Sequence, residues 1–344
     1  MTTSAEGVSD AIRHTVLRDL AWLLATPDLV TLGAYPGRPT GLTLGLTDNH
    51  HAWLTALLPC VEALNGKRAT TRMGHYHERL WQLLLDNAPN TRLLANNLRI
   101  TQRRTTLGEL DMLYRTRTNP APVHLEVAIK FYLGLPDGPG EANSQSRWIG
   151  PGGLDSLALK CSHLLHHQLP LSRTATAQAN IAHWLAPRDV GEAAALSDHL
   201  TQQVAMPGVL FYPWQANLPP PAGATAEHRR GWWCHQYDWP SVAERYSTAL
   251  KVAWLAKPHW LAPPSLDAFG NANERMEAVM AQVNRYGPQQ VMLYDPKGGE
   301  NCWEENYWEK SCQENSGQER PLTRLMVVPN DWPRQVPLPP KRRG

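Results

Sequence analysis

The sequence predicts an α/β protein with a central order of helix, three strands, helices and strand. Apolar residues recur at helical spacing up to about residue 87 and then alternate, as in strands, between about residues 92 and 133. Helical spacing returns after a loop, and a short apolar strand follows it. We therefore expect N-terminal helices before this core and a C-terminal α+β accessory region after it.

Length and composition limit the kind of protein. The chain has 344 residues, 42% hydrophobic and 19% charged, with a formal net charge of +2. This length favours about two domains, and a charge so near zero gives no strong global attraction to polyanions. Five cysteines without a CxxC pair indicate reduced thiols. With no leader-like N-terminus and no apolar run of about 18 residues, we expect a cytoplasmic protein without membrane contact.

Three helices are predicted before the strands. The first covers residues 12–24, where leucine and valine recur every three or four positions. Residues 29–47 are rich in Gly, Pro and Thr and are predicted to form a loop or short strands. Asp48 can cap a second helix that runs to about Leu64. The third helix covers residues 74–87 and ends before a proline.

The alternating part predicts three strands, and their short connections imply an antiparallel meander. These strands are residues 92–103, 106–117 and 123–133. A Gly- and Pro-rich loop at residues 135–153 precedes two helices, and the apolar run GVLFY would close the core. The two helices are residues 154–169 and 175–185, and the closing strand is residues 208–212.

A proline-rich stretch at residues 218–222 separates the core from a second region. That region mixes strands with one helix; the strands are residues 231–237, 290–294 and 322–328, and the helix is residues 273–286. The sequence therefore predicts four segments. They are an N-terminal helical segment (1–71), the core (72–214), the accessory domain (215–340) and a basic tail (341–344).

Two neighbouring strands contain ionisable residues in apolar surroundings. Glu109 and Asp111 are two positions apart, so both point to one face of their strand. On the next strand His124, Glu126 and Lys130 share a face, whereas the opposite face is apolar. Such a polar stripe lowers stability unless it is paired or bound to metal. Clustered carboxylates suit Mg²⁺, and a lysine can orient a nucleophile or offset phosphate charge. A salt-bridged pair on an exposed sheet face would explain the same stripe.

Four segments resemble an uncharacterised bacterial family, domain of unknown function 1853. They are RMGHYHERLW (72–81), TLGELDMLYR (106–115), HLEVAIKFYLG (124–134) and WIGPGGLDSLALKCSHLLHHQL (148–169). The two acids and the lysine, placed between helices, also resemble the PD-(D/E)xK, or restriction-endonuclease-like, phosphodiesterase superfamily. That resemblance implies an αβββαβ core, a divalent metal (Mg²⁺ or Mn²⁺) and a nucleic-acid substrate, with DNA favoured. It implies no organic cofactor and leaves the oligomeric state open.

The resemblance also implies roles for individual acids. Asp111 would be the central metal-binding acid and Glu126 the second. Glu78, on the helix before the sheet, matches an additional acid that many members use, and Glu109 is a further candidate ligand. A surface salt bridge would explain Glu78 equally well.

The lysine departs from the superfamily pattern. There it follows the second acid by two positions, whereas Lys130 follows Glu126 by four, and Ala128 stands where the lysine is expected. On one straight strand the Cα atoms of Glu126 and Lys130 would be about 13 Å apart. Lys130 is therefore one candidate, and Lys160 on the following helix is the other.

Several basic and polar residues could contact nucleic acid. Arg103, Arg104, Arg115 and Arg117 are predicted to lie at one end of the strands, where they would contact phosphates or protect a sheet edge. Gln168 ends a helix and could contact substrate, although capping would also explain it.

Two further groups have a stronger structural explanation. His163 and His167 have a spacing that can hold a transition metal, but no third ligand is evident and a surface cluster is favoured. Trp232, Trp233 and Trp239 could stack on bases, yet tryptophan more often belongs to a core or an interface.

The function predicted from these residues is metal-dependent cleavage of phosphodiesters in nucleic acid. The alternative is a catalytically inactive module of the same fold that binds nucleic acid or a protein partner. The shifted lysine and the near-neutral charge favour that alternative. A weaker third possibility is metal-dependent chemistry on a small phosphorylated substrate.

Overall fold

The computed structural model describes residues 14–46, 50–65, 72–119, 121–185, 199–297 and 322–338, without the side chains of residues 63–65. The chain divides into two compact units, each discontinuous in sequence. Unit 1 contains Met1–Ile129 and Cys161–Pro207, and unit 2 contains Lys130–Lys160 and Gly208–Gly344. The four segments predicted from the sequence stay predictions. Among the described helices, none combines the length and apolar character needed to cross a bilayer.

The described helices are α1 (Thr15–Ala25), α2 (Gly41–Leu44), α3 (His50–Ala56), α4 (Leu58–Asn65), α5 (Met73–Asn87), α6 (Leu157–His163), α7 (Leu169–Leu171), α8 (Ala175–Leu185), α9 (Trp239–Ala243) and α10 (Ala272–Tyr286). A π-helical turn at Leu164–Gln168 joins α6 to α7. The predicted helix at residues 48–64 is two helices. Pro59 explains the break, because proline has no N–H to continue α3. Asp48 and the basic tail lie outside the described residues.

The described strands are β1 (Thr91–Gln102), β2 (Thr105–Thr116), β3 (Val123–Val127), β4 (Lys130–Gly134), β5 (Trp148–Ile149), β6 (Thr201–Ala205), β7 (Gly208–Pro213), β8 (Arg230–His235), β9 (Lys251–Leu255), β10 (Gly270–Asn271), β11 (Gln289–Tyr294) and β12 (Leu322–Val328). The first sheet has the order β1-β2-β3-β6. Its first three strands are antiparallel neighbours, which confirms the predicted meander, and β6 is parallel to β3.

The strand that closes the first sheet is not the predicted one. GVLFY forms β7 in the second sheet, whereas β6, with the sequence TQQVA, pairs with β3. Apolar periodicity misses β6 because its buried Gln202 is accommodated by hydrogen bonds rather than by apolar packing. The Gln202 amide donates to Ser172 Oγ (2.9 Å) and to Leu169 O, and its Oε1 accepts from Arg173 Nε (2.7 Å).

The predicted single strand at residues 123–133 is wrong. It is two strands, since β3 pairs with β2 and β6, whereas β4 pairs with β5 and β7. Ala128 N still donates to Ala205 O (2.9 Å), and regular pairing resumes at Lys130 opposite Gly208. Both strands are apolar and alternate, so the sequence pattern continues across the break. The common face predicted for Glu126 and Lys130, and the distance of about 13 Å along one strand, therefore do not apply.

The helices after β5 cover part of the first sheet. A buried cluster joins residues of β1 and β2 to residues of α7 and α8; its members are Ala95, Ile100, Leu110, Leu113, Leu171, Ala177, Ile181 and Leu185. In unit 1 the order is therefore helix, three strands, helices and strand, with an antiparallel meander and a parallel fourth strand.

A buried polar cluster joins the N-terminal helices to α5. Arg38 donates to Leu23 O and Thr26 O at the end of α1. Trp81 Nε1 donates to His77 Nε2 (3.0 Å), so this nitrogen accepts and the imidazole is neutral. Burial, followed by the charge of Arg38, lowers the pKa of His77 to about 3.

Unit 2 contains a sheet of eight described strands in the order β10-β9-β11-β12-β8-β7-β4-β5. The central neighbours β12, β8, β7 and β4 are parallel, and the outer pairs are antiparallel. Helix α10 buries Met276, Val279 and Val283 against this sheet. The predicted helix and the strands β8, β11 and β12 are confirmed within one or two residues. Short or mixed strands such as β5, β9 and β10 were not predicted.

Candidate functional site

Asp111 and Glu126 come together at the end of the β2–β3 ladder. The last pair in that ladder is Met112 opposite Leu125. One further step in the same register places Asp111 opposite Glu126, and opposite residues of antiparallel strands point to the same sheet face. Half-buried Asp111 is held there, because its Oδ2 accepts a hydrogen bond from Val127 N (3.0 Å).

Glu126 is fully buried and both of its carboxylate oxygens are hydrogen bonded. The strand β3 lies between β2 and β6, and every residue of it after Val123 is buried. Glu126 Oε1 lies 2.7 Å from His124 Nε2, and Oε2 accepts from Gln168 Nε2. Both His124 and Glu126 are 0% exposed. The polar face predicted for this strand is therefore inside the protein, which rules out the exposed-face interpretation.

The imidazole of His124 is assigned as neutral. Its Nδ1 is buried and has no hydrogen-bond partner among the described residues. Protonating Nδ1 would bury an unpaired N–H donor, which lowers stability. The proton therefore belongs on Nε2, where it is donated to Glu126. Within the described chain, Glu126 is thus a buried carboxylate whose hydrogen-bond donors are a neutral imidazole and an amide.

The hydrogen-bonded chain continues from Gln168 to the surface. Gln168 Oε1 lies 3.0 Å from Nδ1 of His163, an exposed residue. The rings of His163 and His167 stack with their centroids 5.3 Å apart and an interplanar angle of 29°. Four side chains, from His124 through Glu126 and Gln168 to His163, therefore link the centre of β3 to solvent.

The other two predicted acids have separate partners. Glu109 Oε2 is 4.0 Å from Arg99 Nε in a solvent-exposed pair. Glu78 Oε2 accepts from Asn97 Nδ2 (3.3 Å). Asn97 has a left-handed backbone (φ 50°). Its neighbours Asn96 and Leu98 pair with Met112 and Leu110, so Asn97 lies opposite Asp111. Glu78 is thus linked to the strand position beside Asp111, and its metal role stays a prediction.

Both candidate lysines belong to unit 2. Lys130 Nζ forms an ion pair with Asp155, whose Oδ2 also accepts from Tyr132 OH (3.2 Å). Lys160 N donates to Ser156 O (2.9 Å) in the first turn of α6. Asp155 was not predicted, although it stands in one of the four family-like segments, between a Gly-rich loop and a helix.

The carboxylates of Asp111 and Glu126 in unit 1 are oxygen ligands, the type that Mg²⁺ and Mn²⁺ prefer. Among the described residues, no group of three or more His, Cys, Asp or Glu side chains is arranged to hold a metal ion. Mg²⁺ is commonly held by only one or two carboxylates, with water and substrate phosphate completing its coordination. Asp111 and Glu126 are two carboxylates on adjacent strands, and carboxylate oxygen suits both ions.

The prediction that the arginines cluster at one end of the strands is wrong. Arg103 and Arg104 form the turn between β1 and β2, whereas Arg115 lies opposite Arg92 at the other end of the hairpin. Because the strands are antiparallel and long, these two ends are roughly 35 Å apart. Contacts of Arg103, Arg104, Arg115 and Gln168 with nucleic acid stay predictions, but the arginines do not form one patch.

The tryptophans of the GWWCHQYDWP segment pack within unit 2. Trp233 is 6% exposed, donates from Nε1 to Gly134 O (2.9 Å) and contacts the ring of Trp332. Trp232 and Trp239 pack against the apolar core that α10 covers. These contacts favour the packing interpretation. The exposed ring in this segment is Tyr237, which stacks on His235.

Comparison with known proteins identifies the family of this chain. A profile described as domain of unknown function (DUF1853) matches residues 18–316, which is more than half of the sequence. The search of curated proteins gave no match, and neither did the search of solved structures. Because the match covers both units, the chain belongs to the DUF1853 family.

Proposed function

We propose that unit 1 is a metal-dependent phosphodiesterase that acts on nucleic acid, with Asp111 and Glu126 as its metal-binding acids. The main support is the charge of Glu126. Its carboxylate is 0% exposed, and its described hydrogen-bond donors are neutral. A buried carboxylate with neutral donors and no opposite charge beside it lowers stability by roughly 1–4 kcal/mol relative to a neutral side chain of similar size. A divalent cation beside Asp111 and Glu126 would neutralise it.

Hydrogen bonds hold both acids in place, which supports a role as metal ligands. Asp111 is held by Val127 N, which donates to its Oδ2. Each Glu126 oxygen accepts one described hydrogen bond and can accept a second interaction. Hydrogen-bonded partners of this type fix the orientation of metal ligands. When bound, Mg²⁺ or Mn²⁺ would supply electrostatic stabilisation of the charge that develops on a phosphodiester.

The order of elements supports the same proposal. Unit 1 has helix, three strands, helices and strand, with the two acids on the second and third strands. This arrangement resembles the PD-(D/E)xK superfamily, in which it serves nucleases. Lys130, which forms an ion pair with Asp155, and Lys160 stay candidates for the lysine of this site.

A second function is favoured by one specific observation. Both oxygens of Glu126 are already occupied by His124 and Gln168, as they would be in a purely structural polar core. In that case unit 1 is an inactive module of the same fold that binds nucleic acid or a protein partner. The two proposals differ in one measurable property, which is metal binding at Asp111 and Glu126.

Calorimetric titration with Mn²⁺ and Mg²⁺ tests the proposal, together with cleavage of single- and double-stranded DNA and RNA. We expect the full chain to bind Mn²⁺ and to cleave at least one of these substrates. Asp111→Asn and Glu126→Gln should lose both properties, whereas Asp86→Asn, an exposed acid of α5, should keep them. Equal metal binding and cleavage by Asp111→Asn would contradict the proposed site. Nucleic-acid binding without metal binding or cleavage would support the inactive module.

A further inference from the structure

The π-helical turn at Leu164–Gln168 interrupts the helical run from Leu157 to Leu171. Such turns insert one residue into an α-helix and occur frequently at functional sites. In a regular α-helix, side chains five positions apart, such as His163 and Gln168, point about 140° apart around the axis. In the π turn these two side chains are hydrogen bonded at 3.0 Å. The inserted residue therefore brings His163 onto Gln168.

The hydrogen bonds in this chain all lead toward the carboxylate of Glu126. A carboxylate can only accept, so Gln168 must turn its NH₂ group toward Glu126 and its oxygen toward His163. His163 must then donate from Nδ1. His124 donates to the other oxygen of Glu126. The donors on both sides are thus directed at the same buried carboxylate, and an aligned chain of this kind strengthens each of its bonds.

We propose that His163 is a positioning residue for Glu126 and acts on it through Gln168. This inference rests on the proposed function, because it concerns the same carboxylate. Gln168 holds Glu126 Oε2 directly, and the hydrogen bond from His163 Nδ1 stabilises the Gln168 amide in the orientation that the carboxylate requires. The exposed imidazole thereby determines how well Glu126 is held for a divalent cation, although His163 does not touch Glu126.

His167 provides a matched control for His163. It is also exposed, lies on the π turn that directly follows His163 and stacks on the His163 ring. It is not part of the hydrogen-bonded chain of described residues. If Mn²⁺ affinity changed only because a surface imidazole was removed, the change should be the same for both residues. The same holds if the two histidines bind the metal themselves. An effect transmitted through Gln168 should belong to His163 alone.

The experiment compares Mn²⁺ affinity, measured by calorimetry on the full chain, among His163→Ala, His163→Asn and His167→Ala. His163→Ala should weaken binding by about threefold to tenfold, the effect of one hydrogen bond. Asparagine places an N–H two bonds from Cβ, as Nδ1 of histidine does, so His163→Asn should restore affinity to within about twofold. His167→Ala should bind like the wild type. Gln168→Ala, which removes the direct partner, should lose about 10-fold to 100-fold.

Several outcomes would overturn this inference. They are wild-type affinity in His163→Ala, an equal loss in His167→Ala, or no recovery in His163→Asn. Asp111→Asn separates these outcomes from a failure of the proposed function. If Asp111→Asn abolishes Mn²⁺ binding but His163→Ala does not weaken it, only the role of His163 is wrong. If the wild type binds no Mn²⁺, or Asp111→Asn binds it normally, the proposed function and this inference both fail.

Discussion

Units 1 and 2 bury polar side chains at the centre of a mixed sheet in different ways. In unit 2 the guanidinium of buried Arg324 donates to Trp260 O (2.8 Å) and Leu261 O (2.7 Å). These bonds satisfy backbone groups, so Arg324 has a complete structural explanation. In unit 1, Glu126 and His124 are bonded to other side chains, and Nδ1 of His124 has no described partner. A buried polar side chain that satisfies backbone groups therefore has a structural explanation, whereas one bonded to other side chains, with a buried nitrogen left unpaired among the described residues, is a better indicator of function.

The largest effect is expected in unit 2. Replacing Arg324 with Met keeps much of the side-chain length but removes the described donor of Leu261 O and one of the two described donors of Trp260 O, which keeps its bond from Gln290 Nε2 (3.0 Å). We expect the free energy of unfolding of unit 2 to fall by about 3 kcal/mol. Hydrogen exchange of β11 and β12 would measure this loss locally. Unchanged exchange would mean that Arg324 is not a structural residue, and the contrast with Glu126 would fail.

The next effect concerns His77, a buried imidazole of unit 1 with a satisfied nitrogen. Its pKa is about 3 in the folded protein, whereas the ordinary pKa of an exposed histidine is 6.5. Because the folded pKa is the lower one, protons bind preferentially to the unfolded state, so His77 has no effect on the pH dependence above about pH 6.5 and destabilises the fold as pH falls below it. About 2 kcal/mol should be lost at pH 5. In His77→Gln, whose Oε1 can accept from Trp81, urea unfolding should lose this part of the pH dependence. An unchanged pH profile would contradict this assignment.

The smallest effect has the opposite sign and concerns Glu126. Without metal, Glu126→Gln removes a buried charge. The Gln168 amide can rotate so that its oxygen accepts from the new NH₂ group, and His163 can change tautomer so that its Nδ1 accepts from Gln168. We therefore expect the unfolding free energy of unit 1 to rise by about 1 kcal/mol. Saturating Mn²⁺ should stabilise the wild type by about 3 kcal/mol at 100 times its Kd and leave the variant unchanged. If Glu126→Gln instead destabilises unit 1 as Arg324→Met destabilises unit 2, Glu126 is structural.

Part of this structure could be predicted from the sequence, and the limits have physical causes. Regular alternation predicted β1 and β2, and strand phase placed Asp111 and Glu126 each on the polar face of its own strand. The break after β3 was not predicted, because both sides of it are apolar. β6 was missed because Gln202 is buried by hydrogen bonds. The π turn was missed because α6 and α7 continue the same helical run on either side of it.

The resemblance to known families added residues that periodicity alone could not supply. It directed attention to Glu78 and to the segment containing Gln168. It could not show that Lys130 pairs with Asp155, since that contact joins residues 25 positions apart on different elements. The pairing of His124 with Glu126 was within reach of the sequence, because the two residues share a strand face.

The break between β3 and β4 has a consequence for how the gene for this protein can be divided. The chain passes from one unit to the other after residues 129, 160 and 207. Neither unit can therefore be removed as one uninterrupted piece of coding sequence. A stop codon after residue 214 would keep β7 but remove its parallel neighbour β8, leaving an unpaired strand edge that invites aggregation. During synthesis, the first sheet is incomplete until β6 has emerged, by which time β4 has already been made. The coding segments of the two units therefore alternate along the gene, and the two units are translated together.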